Sequence, residues 1–257
     1  MPFKQKMEDA NKRTGSNIVL ALDLPLNKPG KLLIKAKEIL KAVHTHICAV
    51  KLNRHLILPL GLFGDVQSLI GQAEDYELPT IMDCKINDIG NTNQIIAEHY
   101  FKAGFDAVTA NALVGWEDGL LPVFDIARQS NRGVLILVYM SHKGAWEGYG
   151  QKVFIHENGR NVSQYKIFAQ KALKWKADGA VVGATYPKKI KEVNSILGEE
   201  VPIYSPGIGA QGGQIQKALE NGAKYLIIGR TITLSKNPSS VARDLKLATQ
   251  RSLSKGL

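Results

Sequence analysis

Residues 83–88 of the segment Thr80-Ile81-Met82-Asp83-Cys84-Lys85-Ile86-Asn87-Asp88-Ile89-Gly90-Asn91-Thr92 hold two carboxylates and an ammonium, directly after an apolar run. Side chains on a strand alternate between faces, so Asp83 and Lys85 are expected to point the same way. Their apolar neighbours Ile81, Met82 and Ile86 leave a charged pair no reason to face covering helices, which directs it to the open end of a sheet. Ions taken out of water need opposite partners. Lys51, at the end of another apolar run, completes a Lys-Asp-Lys array, and Asp88 balances its excess positive charge. Opposite charges favour ionised forms, so Lys85 is expected to stay an ammonium and to serve as a proton donor. For these residues taken alone, the alternative is an ion-pair network that only fixes strand register.

The elements that must position this cluster follow from hydrophobic periodicity. Short runs rich in β-branched residues at 17–23, 47–52, 80–85, 107–111, 134–140, 179–183, 202–205 and 224–228 read as strands. Amphipathic stretches at 31–43, 65–74, 92–102, 117–130, 164–177, 187–197, 212–221 and 239–252 read as helices. In the first, Leu32, Leu33, Ala36, Ile39, Leu40 and Val43 share one face and the lysines the other. Near-continuous apolar strands separated by helices imply a covered parallel sheet, and eight such units imply a closed (β/α)8 TIM barrel. A doubly wound open sheet is the alternative. The reading is a single catalytic domain over 16–257, with residues 1–15 as a frayed or helical N-terminal extension.

Sites in this fold form at the C-terminal ends of the strands. Polar residues are expected there: Asp23, Lys51, Asp83, Lys85, Asn111 and Ser141. After the seventh expected strand comes Ser205-Pro206-Gly207-Ile208-Gly209-Ala210-Gln211-Gly212-Gly213, and after the eighth Gly229-Arg230-Thr231. Glycine lets a backbone approach a ligand closely, and exposed N–H groups at a helix start attract anions. The loops after strands seven and eight are the usual phosphate cradle of such barrels. Arg230 adds a planar fork suited to phosphate oxygens, so the ligand is expected to carry a phosphate monoester.

Composition narrows the classes. A chain of 257 residues that is 44% hydrophobic can bury a large core. No apolar run of a membrane span's length and no secretory signal is read, and the expectation is a soluble, cytoplasmic protein. Cys48 and Cys84 sit in apolar runs without metal-ligand spacing and read as reduced core thiols. Against 23 Asp+Glu stand 33 Lys+Arg, a formal charge of +10. That field suits a phosphorylated metabolite or a nucleic acid. The lysines nevertheless lie on helical faces without aromatic interleaving, which reads as solvated surface, with no nucleic-acid partner and no membrane.

Together, Asp83-x-Lys85-x-x-Asp88-Ile89-Gly90-x-Thr92, Ala21-Leu22-Asp23, Val50-Lys51, Met140-Ser141-His142, the 206–213 glycine turn and Ile228-Gly229-Arg230 resemble the orotidine 5′-phosphate decarboxylases, most closely their compact archaeal type. The resemblance runs in order from Asp23 to Arg230. It implies conversion of orotidine 5′-monophosphate to UMP and CO2, in de novo pyrimidine synthesis, without cofactor or metal. By the same matching, Lys51, Asp83, Lys85 and Asp88 form the catalytic array, Asp23 and Lys51 contact ribose hydroxyls, and Ser141 contacts the pyrimidine. Pro206, Gly207, Gly209, Gln211, Gly229 and Arg230 hold the phosphate, and 206–213 is the implied lid. A homodimer is also implied, with Asp88 and Thr92 reaching into the partner subunit's site. Tyr186 stands where an arginine is common, and Lys143 where a proline often is. Metal-dependent sugar-phosphate enzymes of the same superfamily keep the D-x-K-x-x-D block but place an acidic residue where Lys51 stands, and an ammonium opposes a divalent cation.

Overall fold

The computed structural model describes residues 1–25, 28–156, 159–209 and 213–254. Among these, ten strands form: β1 Ile18–Ala21, β2 Ala49–Asn53, β3 Thr80–Ile86, β4 Ala107–Asn111, β5 Gly133–Tyr139, β6 Lys152–Ile155, β7 Arg160–Ser163, β8 Gly179–Val182, β9 Ile203–Pro206 and β10 Ala223–Ile228. All but β6 and β7 join one parallel sheet, which closes because β1 pairs with β2 on one side and β10 on the other. The closure excludes an open sheet. Helices Pro29–Val43, Gln67–Asp75, Gly90–Lys102, Leu121–Gln129, Gln164–Lys174, Pro187–Leu197, Ile215–Glu220 and Pro238–Ser254 follow the strands in turn.

The strands read as continuous apolar runs because both of their faces are buried. Leu20, Val50, Leu52, Met82, Cys84, Val108, Ile136 and Leu226 face outward into a core beneath the helices. Val19, Ala49, Ile81, Ala107, Leu135, Val181, Tyr204 and Tyr225 face inward and form a second core inside the barrel. Both cysteines are free and buried. Burial pushes their thiols up, that of Cys84 to about 12, so neither is a ready nucleophile.

The N-terminal residues build the floor of that inner core. Helix Phe3–Thr14 buries Phe3, Met7 and Ala10, spaced to share one face, against the inward-facing strand residues. Lys6 Nζ is 2.6 Å from Asp106 Oδ1, which Arg132 also reaches at 2.6 Å. Because Asp106 immediately precedes β4, these ion pairs fix the helix at the N-terminal end of the barrel. The segment is a plug, with no frayed character.

Two departures from the periodicity reading concern connections. Helix Gln164–Lys174 is preceded by an antiparallel hairpin, β6 on β7, with Lys152 opposite Ser163 and Ile155 opposite Arg160. After β2 the chain forms helix Arg54–Leu60 before Gln67–Asp75. The stretch Arg54–Asp75 is long and apolar enough to cross a membrane by length and composition. However, Phe63 and Gly64 break its helical geometry, and Leu56, Ile57, Leu60, Val66, Leu69, Ile70 and Ala73 are spent on the barrel's outer core.

If the plug is part of the cooperative fold, Phe3→Ala costs about 3 kcal/mol, as expected for emptying a buried aromatic site. Urea unfolding reads this directly, and a loss below about 0.5 kcal/mol would show the plug to be dispensable.

Candidate active site

A cavity of about 680 Å3 opens at the C-terminal ends of the strands. Its floor is apolar, formed by the inward-facing Ile81, Leu135, Leu137, Val181 and Ile227. Charge enters where Lys51 in β2, Asp83 and Lys85 near the end of β3, and Asp23 two residues past β1 line the cavity.

The β2–β3 register explains the first contact: Asn53 pairs with Asp83, so Lys51 lies on the same inward face one alternation below. Lys51 Nζ donates to Asp83 Oδ2 at 2.7 Å and lies 3.9 Å from Asp23 Oδ2. Lys85 Nζ donates to Asp83 Oδ1 at 2.6 Å. One carboxylate, 13% exposed, therefore serves two lysines.

The same-face placement of Asp83 and Lys85 holds, but the ladder beneath it is irregular. Between β3 and β4, Met82 pairs with Val108 and the next pair is Ile86 with Ala110, so β3 carries extra chain over the charged residues. Lys85 there takes φ 52°, a left-handed conformation that costs energy for a residue with a Cβ and marks functional sites. Its amide turns to the side chain of Thr109, whose Oγ1 accepts from Lys85 N at 2.9 Å and donates to Asp83 Oδ1 at 3.1 Å. Thr109 was not singled out by its sequence, although it is the polar inward-facing residue of β4.

Burial on its own would lower the Lys51 pKa, but the charges of Asp83 and then Asp23 more than reverse this, leaving it raised. Burial would likewise raise Asp83, and the positive charges of Lys51 and Lys85 instead hold it far below the ordinary carboxylate range. Asp23 Oδ1 is buried with no hydrogen-bond partner among the described residues, so it is free to accept from a ligand hydroxyl.

Beyond Asp23, Gly229 and Arg230 after β10, the neighbour of β1, and then Pro206 at the end of β9 with Gly207 and Ile208 after it continue the wall. Gly209, at φ 74°, sits so close to Thr231 that an added Cβ would lie 2.5 Å from its Oγ1. This close approach ties the two glycine turns together. Ser141, after β5, lines the cavity from a third side.

Of the expected site residues, the cavity brings together Asp23, Lys51, Asp83, Lys85, Ser141, Pro206, Gly207, Gly229 and Arg230. Gln211 lies outside the described residues, as does the middle of the expected 206–213 lid. Asp88 and Thr92 do not line the cavity of their own chain. Asp88 is exposed, with its Oδ1 accepting from Ile89 N at 2.7 Å and its amide bound to Asn93 Oδ1 at 2.9 Å, so the intrachain balance expected from Asp88 is replaced by Asp23. Asn111 also turns elsewhere, capping Leu113 N at 3.1 Å.

This is a (β/α)8 barrel with a partly buried lysine-carboxylate array and two glycine turns at its mouth. Residues 16–245 match the orotidine 5′-phosphate decarboxylase / HUMPS family, and the chain belongs to that family. It is 34% identical over 236 residues to the orotidine 5′-phosphate decarboxylase of Methanosarcina acetivorans, covering 92% of this chain and 96% of that one. Among solved structures, that of orotidine 5′-monophosphate decarboxylase from Methanocaldococcus jannaschii with the inhibitor BMP superposes with a TM-score of 0.73 at 28% identity, covering 90% and 97% of the two chains. The Leishmania donovani OMP decarboxylase structure reaches a TM-score of 0.83 at 22% identity, covering 98% and 99%, a likeness of fold.

Two outcomes test the array. Thr109→Val leaves the Lys85 amide without an acceptor and should lower stability by about 1–3 kcal/mol, whereas Thr109→Ser should recover most of it. Because the Asp83 pKa is depressed on folding, its contribution is complete above the unfolded value of about 3.9 and is lost as pH falls through the lower folded value. The stability gap between the unsubstituted protein and Asp83→Asn, measured by chemical denaturation, should therefore stay constant down to about pH 4 and narrow only below it. A gap that closes between pH 7 and pH 5 would contradict the ion-pair assignment.

Proposed function

We propose that this chain decarboxylates orotidine 5′-monophosphate to UMP and CO2, with Lys85 as the proton donor and no cofactor or metal. The observation that carries the reading is the shared Asp83 carboxylate between Lys51 and Lys85 at the mouth of a cavity also lined by Gly207, Gly229 and Arg230. Membership of the family and the names of its relatives support it.

Loss of CO2 from C6 of the pyrimidine leaves an electron pair in an in-plane orbital that the ring delocalises poorly. A positive charge fixed beside that carbon stabilises the pair, and transfer of the Lys85 proton to C6 completes the product. Asp83 holds both lysines in place for this step, Asp23 and Lys51 take the ribose hydroxyls, and Ser141 takes the ring. The phosphate rests on Pro206, Gly207, Gly209, Gln211, Gly229 and Arg230, and binding energy gained there, far from C6, helps organise the charges.

The superfamily alternative, a metal-dependent enzyme acting on a sugar phosphate, is disfavoured by Lys51. Its Nζ sits 2.7 Å from Asp83, in the position that a divalent cation bound to that carboxylate would need.

The functional unit in this reading is a homodimer in which Asp88 and Thr92 serve the partner's site. Asp88 is exposed and turned away from its own cavity. On the segments that follow β2, β3 and β4 stand the exposed apolar side chains Leu58, Phe63, Ile89, Ile95 and Leu113. Exposed apolar side chains on three consecutive segments fit a surface covered by a second copy.

The expected result is a fall in orotidine monophosphate absorbance with EDTA present, and a loss of about a thousandfold or more in Lys85→Ala. No turnover by the unsubstituted protein, or full turnover by Lys85→Ala, would overturn the assignment. Mixing inactive Asp88→Ala and Lys85→Ala subunits should restore part of the activity, since one of the two sites in a mixed dimer is then intact. No recovery in verified mixed dimers would contradict a shared site.

A further inference from the structure

Ser141 lies on a stretch, 141–144, that is neither strand nor helix, between the end of β5 and the short helix Ala145–Gly148. Within this connection His142 O accepts from Ala145 N at 3.1 Å. Its other backbone anchors come from the turn after β8: Thr185 Oγ1 donates to Ser141 O at 3.0 Å, and the Tyr186 hydroxyl donates to His142 O at 2.9 Å. The two segments also touch directly. A Cβ on Gly183 would lie 2.6 Å from Ser141 Cα, so a glycine there is what lets the segments meet.

The ring of Tyr186 is itself fixed. It meets Tyr139, buried at the end of β5, edge to face with centroids 5.0 Å apart. Tyr139 meets Tyr165 in the same manner at 5.4 Å, and the Tyr165 hydroxyl is bound by Glu192 and Lys189. Aromatic side chains lose few rotamers on ordering and prefer this edge-to-face packing, so the chain of rings makes a stiff brace. It runs from helix Pro187–Leu197 to the carbonyls beside Ser141. Neither Thr185 nor Tyr186 lines the cavity.

We propose that Thr185 and Tyr186 are positioning residues that hold the 141–142 backbone so that Ser141 meets the pyrimidine end of the ligand, and that they set affinity for the ring without touching it. The inference rests on the assignment of Ser141 to the pyrimidine. A nucleotide bearing the ring should therefore feel the loss of the brace, and a ligand with only the ribose phosphate should not.

Competition against turnover by UMP and by ribose 5-phosphate separates the two. Tyr186→Phe, which keeps the ring and its packing, should weaken UMP about threefold, and Thr185→Val combined with Tyr186→Phe about tenfold, in line with one and two modest hydrogen bonds. Ribose 5-phosphate should stay within about twofold throughout, and Thr185→Ser should bind UMP like the unsubstituted protein. UMP affinity unchanged in the double variant, or equal weakening of both ligands, overturns the positioning role. Failure of the unsubstituted protein to bind UMP overturns the pyrimidine assignment itself, and this inference with it.

Discussion

Asp83 is a single carboxylate that must satisfy two lysines at once, and the rest of the site is arranged around that demand. Lys51 and Lys85 approach different oxygens, at 2.7 and 2.6 Å, so neither can move without leaving a poorly compensated charge in a partly buried site. Removing one partner from such a buried set is costly, which gives the array a fixed geometry before any ligand arrives. A fixed set of charges costs no reorganisation when charge develops on a ligand, and this is where the energetic advantage of a preorganised site lies.

The barrel supplies what the array needs. Adjacent parallel strands bring Lys51 and Asp83 to one face, and the irregularity between β3 and β4 lets Lys85 reach the same carboxylate from a left-handed backbone conformation. Thr109 stabilises that conformation by accepting from the Lys85 amide while donating to Asp83. Beneath these residues the inward-facing apolar core, closed off by Phe3, Met7 and Ala10, keeps water from the floor and holds the strands in register. The two glycine turns, after β9 and β10, pack on each other, and because β10 pairs with β1 they continue the cavity wall from Asp23.

Much of this was legible in the residues because the relevant periods are short. Alternation placed Asp83 and Lys85 on one face, and the run of apolar strands and amphipathic helices gave the closed barrel, with helix 187–197 placed to the residue. Other features had signals too weak to separate from their surroundings. Helix Phe3–Thr14 carries only three strongly buried apolar side chains in a polar stretch, so its pattern is equally that of an exposed extension. The β6–β7 hairpin lacks a clean polar-apolar alternation, with Val153, Phe154 and Ile155 in a row, and it falls in the connection between the expected strand 134–140 and helix 164–177. Thr109 is hidden in a small-residue run, and the backbone of Lys85 has no glycine to announce it. Asn111 ends β4 as read, but its side chain accepts from Leu113 N, because the end of a strand can serve a cap as readily as a cavity. Asp88 forms no ion pair among the described residues: it is exposed, and its carboxylate accepts from the neighbouring Ile89 N instead of turning back to Lys85.

The central claim is that Lys51, Asp83 and Lys85 act as one unit organised by the shared carboxylate. A double-mutant cycle on kcat, using Asp83→Asn, Lys51→Met and the two combined, tests it most directly. The account predicts strong non-additivity, with the double variant little worse than the more impaired single variant, because either change already dismantles the array. Losses that multiply as if the two residues were independent would contradict it.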